Sequence, residues 1–223
     1  MLLDWLFPKE CVGCGEWGNY LCEDCVNKLI EIRNHICPMC GKSSLYGMSH
    51  TQCRHPWGME GLVGVMEYKG LMKRIIRKFK YKLVRELVKV VVELIITSSE
   101  IGYISRFKWL VTGVPLHKNK WRLRGFNQSD EIAKVLAEAW GFEVETKVVT
   151  RVMETQPQMS LVGEERKKNV AKAFDDGEQI GRVYGKRVLL IDDVWTTGAT
   201  MRECAKVIKR AGAKEVWGLV AAR

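Results

Sequence analysis

From residue 62 onward, hydrophobic and polar positions along the chain change period several times. Leu62 to Tyr68 is an apolar stretch. In the segment Lys69 to Tyr81, Leu71, Ile75, Ile76 and Phe79 share one helical face, with Lys73, Arg74, Arg77, Lys78 and Lys80 elsewhere. That spacing predicts a basic amphipathic helix, and a second helix is expected over Leu83 to Ser98. Trp109 to Val114 reads as a short buried strand ended by Pro115, and Gln128 to Trp140 as a helix stopped by Gly141. Val144 to Arg151 reads as a strand, Gly163 to Lys172 as a helix and Arg187 to Ile191 as a strong strand. Ala199 to Ala211 is a helix ended by Gly212, and Val216 to Ala221 is a last strand. Strands alternating with helices predict an α/β fold, a parallel sheet flanked by helices.

The beginning of the chain follows another rule. Seven of the 8 cysteines lie between Cys11 and Cys53. That shift in composition divides the chain into a cysteine-rich module, residues 1–57, and an α/β domain, residues 58–223. The spacing is Cys11-x2-Cys14, Cys22-x2-Cys25, Cys37-x2-Cys40 and His50-x2-Cys53. Each pair forms a short knuckle that aims two ligand atoms at one ion, and two knuckles complete a tetrahedron around zinc. Four knuckles suffice for two structural ions, with no position left open for water. Two points stay open: whether His50 or His55 is the imidazole ligand, and whether the knuckles pair sequentially or cross-braced. The module holds too little apolar material for a sizeable core, so metal is expected to supply its folding energy.

Charge and hydropathy narrow the setting. The formal net charge is +10, and between Lys69 and Arg124 15 Lys and Arg residues face only Glu86, Glu93 and Glu100. A field of one sign attracts phosphates, on a small ligand or along a nucleic acid. A solvated basic face without a partner is the plain alternative. No apolar run reaches the roughly 20 residues needed to cross a bilayer, so no membrane insertion is expected. The first residues lack the features of a signal peptide, so a cytoplasmic location is expected.

The most informative stretch runs Val188-Leu-Leu-Ile-Asp192-Asp193-Val-Trp-Thr196-Thr197-Gly198-Ala199-Thr200. A buried strand emits two adjacent acids at its carboxyl end, the edge where open α/β sheets bind ligands. Paired carboxylates suit the vicinal hydroxyls of a sugar. The small, hydroxyl-rich turn that follows can aim successive N–H groups and a helix N-terminus at one anion.

This segment resembles, position by position, the motif with which type I phosphoribosyltransferases bind 5-phosphoribosyl-1-pyrophosphate (PRPP). Two further stretches extend the likeness: Val114-Pro-Leu-His-Lys-Asn-Lys-Trp-Arg122-Leu-Arg124-Gly-Phe-Asn127-Gln128, and Thr155 to Leu161 continuing through Glu165-Arg166-Lys167-Lys168-Asn169-Val170 to Ala173-Phe174. With the cysteine knuckles, the whole resembles the ComF family of competence proteins. The resemblance implies that Asp192 and Asp193 hold the ribose hydroxyls and that Thr196, Thr197, Gly198, Ala199 and Thr200 hold the 5-phosphate. It makes the first stretch a pyrophosphate loop, with Arg122 and Arg124 neutralising the anion. The second becomes a lid carrying Arg166 and Lys167, with Arg166 joining Asp192 and Asp193 in catalysis. It also implies Mg2+ bound with PRPP, and a role in handling incoming single-stranded DNA with a competence helicase as partner. The chain departs from the family at His50, usually Cys, and at Trp195, usually small and aliphatic.

Three readings stay open: a transferase that displaces pyrophosphate from C1 of PRPP, a PRPP-sensing or single-stranded-DNA-binding competence factor, and a zinc adaptor whose sugar site is vestigial. No residue stands out as a general base, so the acceptor is not identified.

Overall fold

Two near-continuous apolar runs, Val188 to Ile191 and Val216 to Ala222, cannot expose either face to water and so require cover on both sides, as the central strands of a parallel sheet do. The structure, a computed structural model, describes residues 9–81, 85–153 and 173–223, with side chains 80, 81 and 85 left aside. Those two runs lie in β6 (Arg187–Val194) and β7 (Glu215–Ala222), at the heart of a five-stranded sheet. The other strands are β1 (Gly61–Met66), β2 (Leu110–Gly113) and β3 (Glu143–Val144). The order is β1-β7-β6-β2-β3, and every pairing is parallel. The expected α/β class is what the chain adopts.

Helices cover both faces. α1 (Glu23–Val26) is a single turn in the cysteine module. α2 (Gly70–Tyr81) and α3 (Arg85–Thr97) pack with α5 (Gln128–Trp140) on one face, burying Leu71, Ile75, Ile76, Phe79, Val91, Ile132 and Leu136 against Val63, Val111, Ile191 and Leu219. The predicted amphipathic face of α2 is therefore the core face, and Lys73, Arg74 and Arg77 are exposed. α6 (Ala199–Arg210) covers the opposite face, packing Met201, Cys204, Ala205 and Ile208 against Val188, Leu190, Val216 and Val220. Asn127 caps α5 by accepting from Ser129 N, so it serves as a helix-end residue.

Two expectations are corrected. Val144 to Arg151 is not one strand. Glu145 N closes the ladder on Val111 O at 3.0 Å, and the Glu145 carboxylate accepts from Lys147 N at 3.1 Å, turning the chain away. The remainder forms β4 (Val149–Arg151), which pairs antiparallel with β5 (Phe174–Asp176) in a separate ribbon. Residues Lys118–Arg124, expected as a loop, form the helix α4. Its ends explain this: the His117 ring caps it by accepting from Asn119 N, and Gly125 ends it in the left-handed region at φ 77°. The helix expected over Gly163 to Lys172 lies outside the described residues.

The cysteine module saddles the free edge of β1. Ile32 N donates to Val65 O and Glu67 N to Ile30 O, both at 2.8 Å, and Met48 bridges Gly61. An edge strand left bare would present unpaired amides to any other chain. Cys11, Leu21 and Cys25 join the core on the α2 face, whereas Ile36 and Met39 pack on the α6 face. Among the described residues no helix is long and apolar enough to cross a membrane.

Gly61 sits where this saddle meets the sheet, and a Cβ there would lie 2.3 Å from the Trp217 ring, itself stacked on Tyr103 at 4.3 Å. Gly61→Ala should lower stability by about 1–3 kcal/mol through overpacking. Gly64→Ala, which meets the flexible tip of Ile32 at 3.1 Å, should cost less, with urea unfolding of both variants as the measurement.

Candidate sugar-phosphate site and metal clusters

Register decides where the acids emerge. Gly113 pairs with Ile191, and Asp192 and Val194 pair with Val220 and Ala222. Asp192 and Asp193 are therefore the third- and second-last residues of β6, at the carboxyl edge of the sheet, and successive strand residues leave on opposite faces. Asp193 is buried, 7% exposed, and Asp192 is half-buried. The Asp192 carboxylate accepts from Ser129 Oγ and from Asp193 N, each at 2.9 Å. Ser129 reaches it because Asn127 Nδ2 donates to Val114 O at 3.0 Å, folding the 114–127 excursion back over β2.

Trp195 follows, buried, and then the turn Thr196-Thr197-Gly198 delivers the chain into α6. Thr196 and Thr197 are exposed, Gly198 and Ala199 buried, and Thr200 half-buried. Gly198 stands at φ 72°, where L side chains are strained, and a Cβ on it would lie 2.0 Å from the Trp195 indole. Glycine is thus required on two counts. Asp192, Thr196, Gly198, Ala199 and Thr200 line a narrow cavity of about 30 Å³. A cavity of about 800 Å³ lies instead between residues 29–34, Glu67, Lys69 and Arg223. It includes neither Asp192 nor Asp193, so the candidate site is marked by its chemistry and not by its volume.

Around this edge, Arg122 projects into solvent from α4, and Arg124 donates to Gln128 Oε1 at 3.0 Å. Arg166 and Lys167 lie outside the described residues. Sequence reasoning missed three participants: Ser129, which orients Asp192; Asp130 beside it; and Arg202, in the first turns of α6. For Ser129 and Asp130 the available signal was an acid and a hydroxyl in the first helical turn, which reads equally well as capping.

The knuckles come together sequentially. Cys11, Cys14, Cys22 and Cys25 form one set, and Cys37, Cys40, His50 and Cys53 another, with the potential ligand atoms of each within 4.8 Å of one another. Cys22 Sγ lies 3.6 Å from both Cys11 Sγ and Cys14 Sγ. A tetrahedron with Zn–S bonds of about 2.3 Å has edges of about 3.8 Å, so the first set has the size zinc needs. In the second, His50 Nδ1 is 3.4 Å from Cys40 Sγ and 3.9 Å from Cys53 Sγ, while its Nε2 faces Ser43 O at 3.0 Å, the outer partner that orients a ligating imidazole. His55 is in neither set.

Electrostatics agree with the donor set. Burial pushes Cys11 and Cys37 up, but backbone N–H groups outweigh it and bring each down to about 6. Burial and neighbouring thiols raise Cys25 to about 12 and Cys53 to about 11. Each set gives up its first proton readily and its last only against accumulated charge, a penalty that a divalent cation offsets.

Comparison with known proteins agrees with this layout. A double zinc ribbon domain matches residues 2–54, and a phosphoribosyl transferase domain matches residues 124–222. Fold and matches together define a phosphoribosyltransferase-type domain joined to a double zinc ribbon. Competence protein ComFC of Streptococcus pneumoniae is 30% identical over 88% of this chain and 84% of its own length. DNA utilization protein YhgH of Salmonella typhi is 30% identical over 91% and 90%, and Competence protein F of Haemophilus influenzae 28% identical over 97% and 98%. The chain belongs to the ComF/ComFC family of competence proteins. Among solved structures it is similar to the allosteric regulatory enzyme of purine biosynthesis, at 20% identity and a TM-score of 0.38, covering 85% of this chain and 31% of that one.

Asp130 yields a pH prediction. Its Oδ1 is buried without a hydrogen bond among the described residues, and burial raises its carboxyl to about 7. The ordinary carboxyl value is about 3.9. A folded-state pKa raised this way contributes stability that is complete below about pH 4 and lost as pH rises through about 7. Asp130→Asn should therefore gain on the parent protein by about 2 kcal/mol between pH 5.5 and 8. Urea unfolding of both proteins across that range checks it.

Proposed function

We propose that the chain binds PRPP at the carboxyl end of β6 and transfers its phosphoribosyl group, as a cytoplasmic protein acting in competence and DNA uptake. One observation carries this reading. Twin acids end a central strand and are followed within one turn by a left-handed glycine and a 12-residue helix N-terminus. Asp192 and Asp193 accept the ribose hydroxyls. The N–H groups of Thr197, Gly198, Ala199 and Thr200, with the threonine hydroxyls, bind the 5-phosphate. Arg122 and Arg124 neutralise the pyrophosphate, with Arg166 and Lys167 closing from the lid.

In the reaction, a bond forms from the acceptor to C1 and the C1–O bond to pyrophosphate breaks, its electron pair leaving with pyrophosphate. Positive charge develops on the ring, and fixed carboxylates beside the hydroxyls favour it. Asp192 and Asp193 are the residues that would hold Mg2+ together with the sugar, and the ion would supply charge neutralisation for the departing group. Ser129 keeps Asp192 in place throughout.

The module, residues 1–57, holds two structural zinc ions, one on Cys11, Cys14, Cys22 and Cys25 and one on Cys37, Cys40, His50 and Cys53. Residues 58–223 form the transferase-type domain.

A second reading has its own observation. On α4, Trp121 and Leu123 are 53% and 87% exposed among Lys118, Lys120, Arg122 and Arg124. An exposed indole among cations suits a stacked base and its backbone. It supports binding of single-stranded DNA, with a helicase as the partner that family resemblance implies.

Calorimetry with PRPP and magnesium should give binding that the Asp192→Asn/Asp193→Asn double variant weakens at least about tenfold, the loss expected when charged hydrogen bonds go. Undiminished binding by that variant, or none by the parent protein, would remove the PRPP reading. Labelled single-stranded oligonucleotide should bind with a steep loss of affinity as salt rises. Trp121→Ala should weaken it several-fold, and no binding at low salt would remove the DNA reading.

A further inference from the structure

Arg202 reaches in two directions from α6. Its Nη2 donates to Thr197 O at 2.7 Å, and its Nη1 donates to Pro38 O at 2.8 Å. Thr197 belongs to the turn that follows the acids, and Pro38 lies inside the Cys37–Cys40 knuckle. Between these carbonyls the guanidinium lies 5.4 Å from the centre of the Trp195 ring. Trp195 in turn packs beneath Gly198, and Met39 of the knuckle with Ile36 just before it packs on the apolar cluster that holds Trp195 and Met201. One planar side chain therefore spans the second metal cluster and the phosphate turn.

The chemistry of the peptide unit says what this contact does. A trans peptide is planar, with its C=O and N–H pointing in opposite directions. Fixing Thr197 O toward Arg202 therefore fixes the Gly198 N–H in the opposite direction, and with it one of the amides that residues 196–200 would offer an anion. The far end of the guanidinium is only as fixed as Pro38 O, and the knuckle around Pro38 is held by its ligands. The first cluster contacts α2 instead, through Arg74 Nη1 to Gly13 O at 3.2 Å, on the other face of the sheet.

We propose that Arg202 is a positioning residue coupling the second cysteine–histidine cluster to the phosphate turn, so that metal occupancy there and affinity for a sugar 5-phosphate rise and fall together. This rests on the reading of residues 196–200 as the phosphate site. Binding linkage is reciprocal, so the sugar phosphate must tighten metal binding by the same factor by which the metal tightens sugar-phosphate binding. Lysine is no substitute, because a single ammonium cannot serve two carbonyls along a fork while stacking on an indole.

The test uses the full zinc-loaded chain, ribose 5-phosphate as probe, and two readouts: calorimetric affinity, and the rate at which zinc passes to a colorimetric chelator. In the parent protein, saturating ribose 5-phosphate should slow release of one of the two ions, and this arm requires no variant. Arg202→Met should weaken ribose 5-phosphate about tenfold, within the usual range of such couplings. It should also speed release of that same ion and abolish the protection. Arg202→Lys, the milder change, should fall between. Lys206→Met, on the same helix and paired among the described residues with Glu203 at 3.7 Å, should leave both readouts unchanged. Ribose 5-phosphate that binds the parent protein but leaves zinc release unaltered, or binds Arg202→Met with equal affinity, would overturn the coupling. Failure of ribose 5-phosphate to bind the parent protein at all would instead strike the phosphate site itself, and the coupling with it.

Discussion

The site depends on the register of β6 between β2 and β7. Parallel pairing on both sides sets the height at which Asp192 and Asp193 clear the sheet. A slip of one residue would carry every side chain of β6 to the wrong face. Leu189 and Ile191 would then leave the α5 side, and Val188 and Leu190 the α6 side, so two apolar cores guard one pair of acids. The same register places Gly113 against the first turn of α5, where a Cβ would lie 2.4 Å from Asp130 Oδ1. That close approach brings Ser129 within reach of Asp192. Packing and chemistry are thus one constraint, and the cost of the arrangement is borne by Asp130, a carboxyl buried where a neutral group would be more stable.

The zinc module answers a different need of the same sheet. β1 is an edge strand with buried residues on both faces, and a bare edge of that kind pairs readily with other chains. The module covers it with backbone hydrogen bonds and reaches over both faces, one cysteine set toward α2 and the other toward α6. Glu60 ties the junction, accepting from Lys209 Nζ at 2.7 Å and from Val216 N at 2.6 Å. A module of this size has little core of its own, so its ligand clusters and the sheet edge stabilise each other. Across the α6 face the link runs through Arg202, which bonds both Pro38 O in the second cluster and Thr197 O in the turn after the acids.

Much of this was legible in the chain. The strand–acid–acid–turn–helix order of residues 188–200 carries its chemistry in consecutive positions, and CxxC spacing needs no tertiary information. The apolar stripe of α2 was equally plain, because helical period survives wherever one face is buried. What could not be read was whatever depends on distance across the fold. Ser129 and Arg202 are a common hydroxyl and a common cation until the sheet brings them to Asp192 and Pro38. The bend after Val144 was hidden because Val148 and Val149 remain apolar after the chain leaves the main sheet. They pack on the α6 core, so burial continued while strand pairing did not. The helix over Lys118–Arg124 was masked by its charge, which resembles a phosphate-binding loop while its two ends carry ordinary capping residues. The choice between His50 and His55 likewise depends on the fold, which sets His50 beside Cys37, Cys40 and Cys53 with Ser43 O behind its ring.

The central claim is that backbone amides after Asp192 and Asp193 grip a phosphoryl group while those acids hold its sugar. A crystal structure of the zinc-loaded chain with ribose 5-phosphate tests it most directly. The account predicts phosphate oxygens within hydrogen-bonding distance of the N–H groups of residues 197–200, and sugar hydroxyls on Asp192 and Asp193. A sugar phosphate seated instead in the cavity beside Arg33 and Arg223, or a vacant turn at saturating ligand, would contradict it.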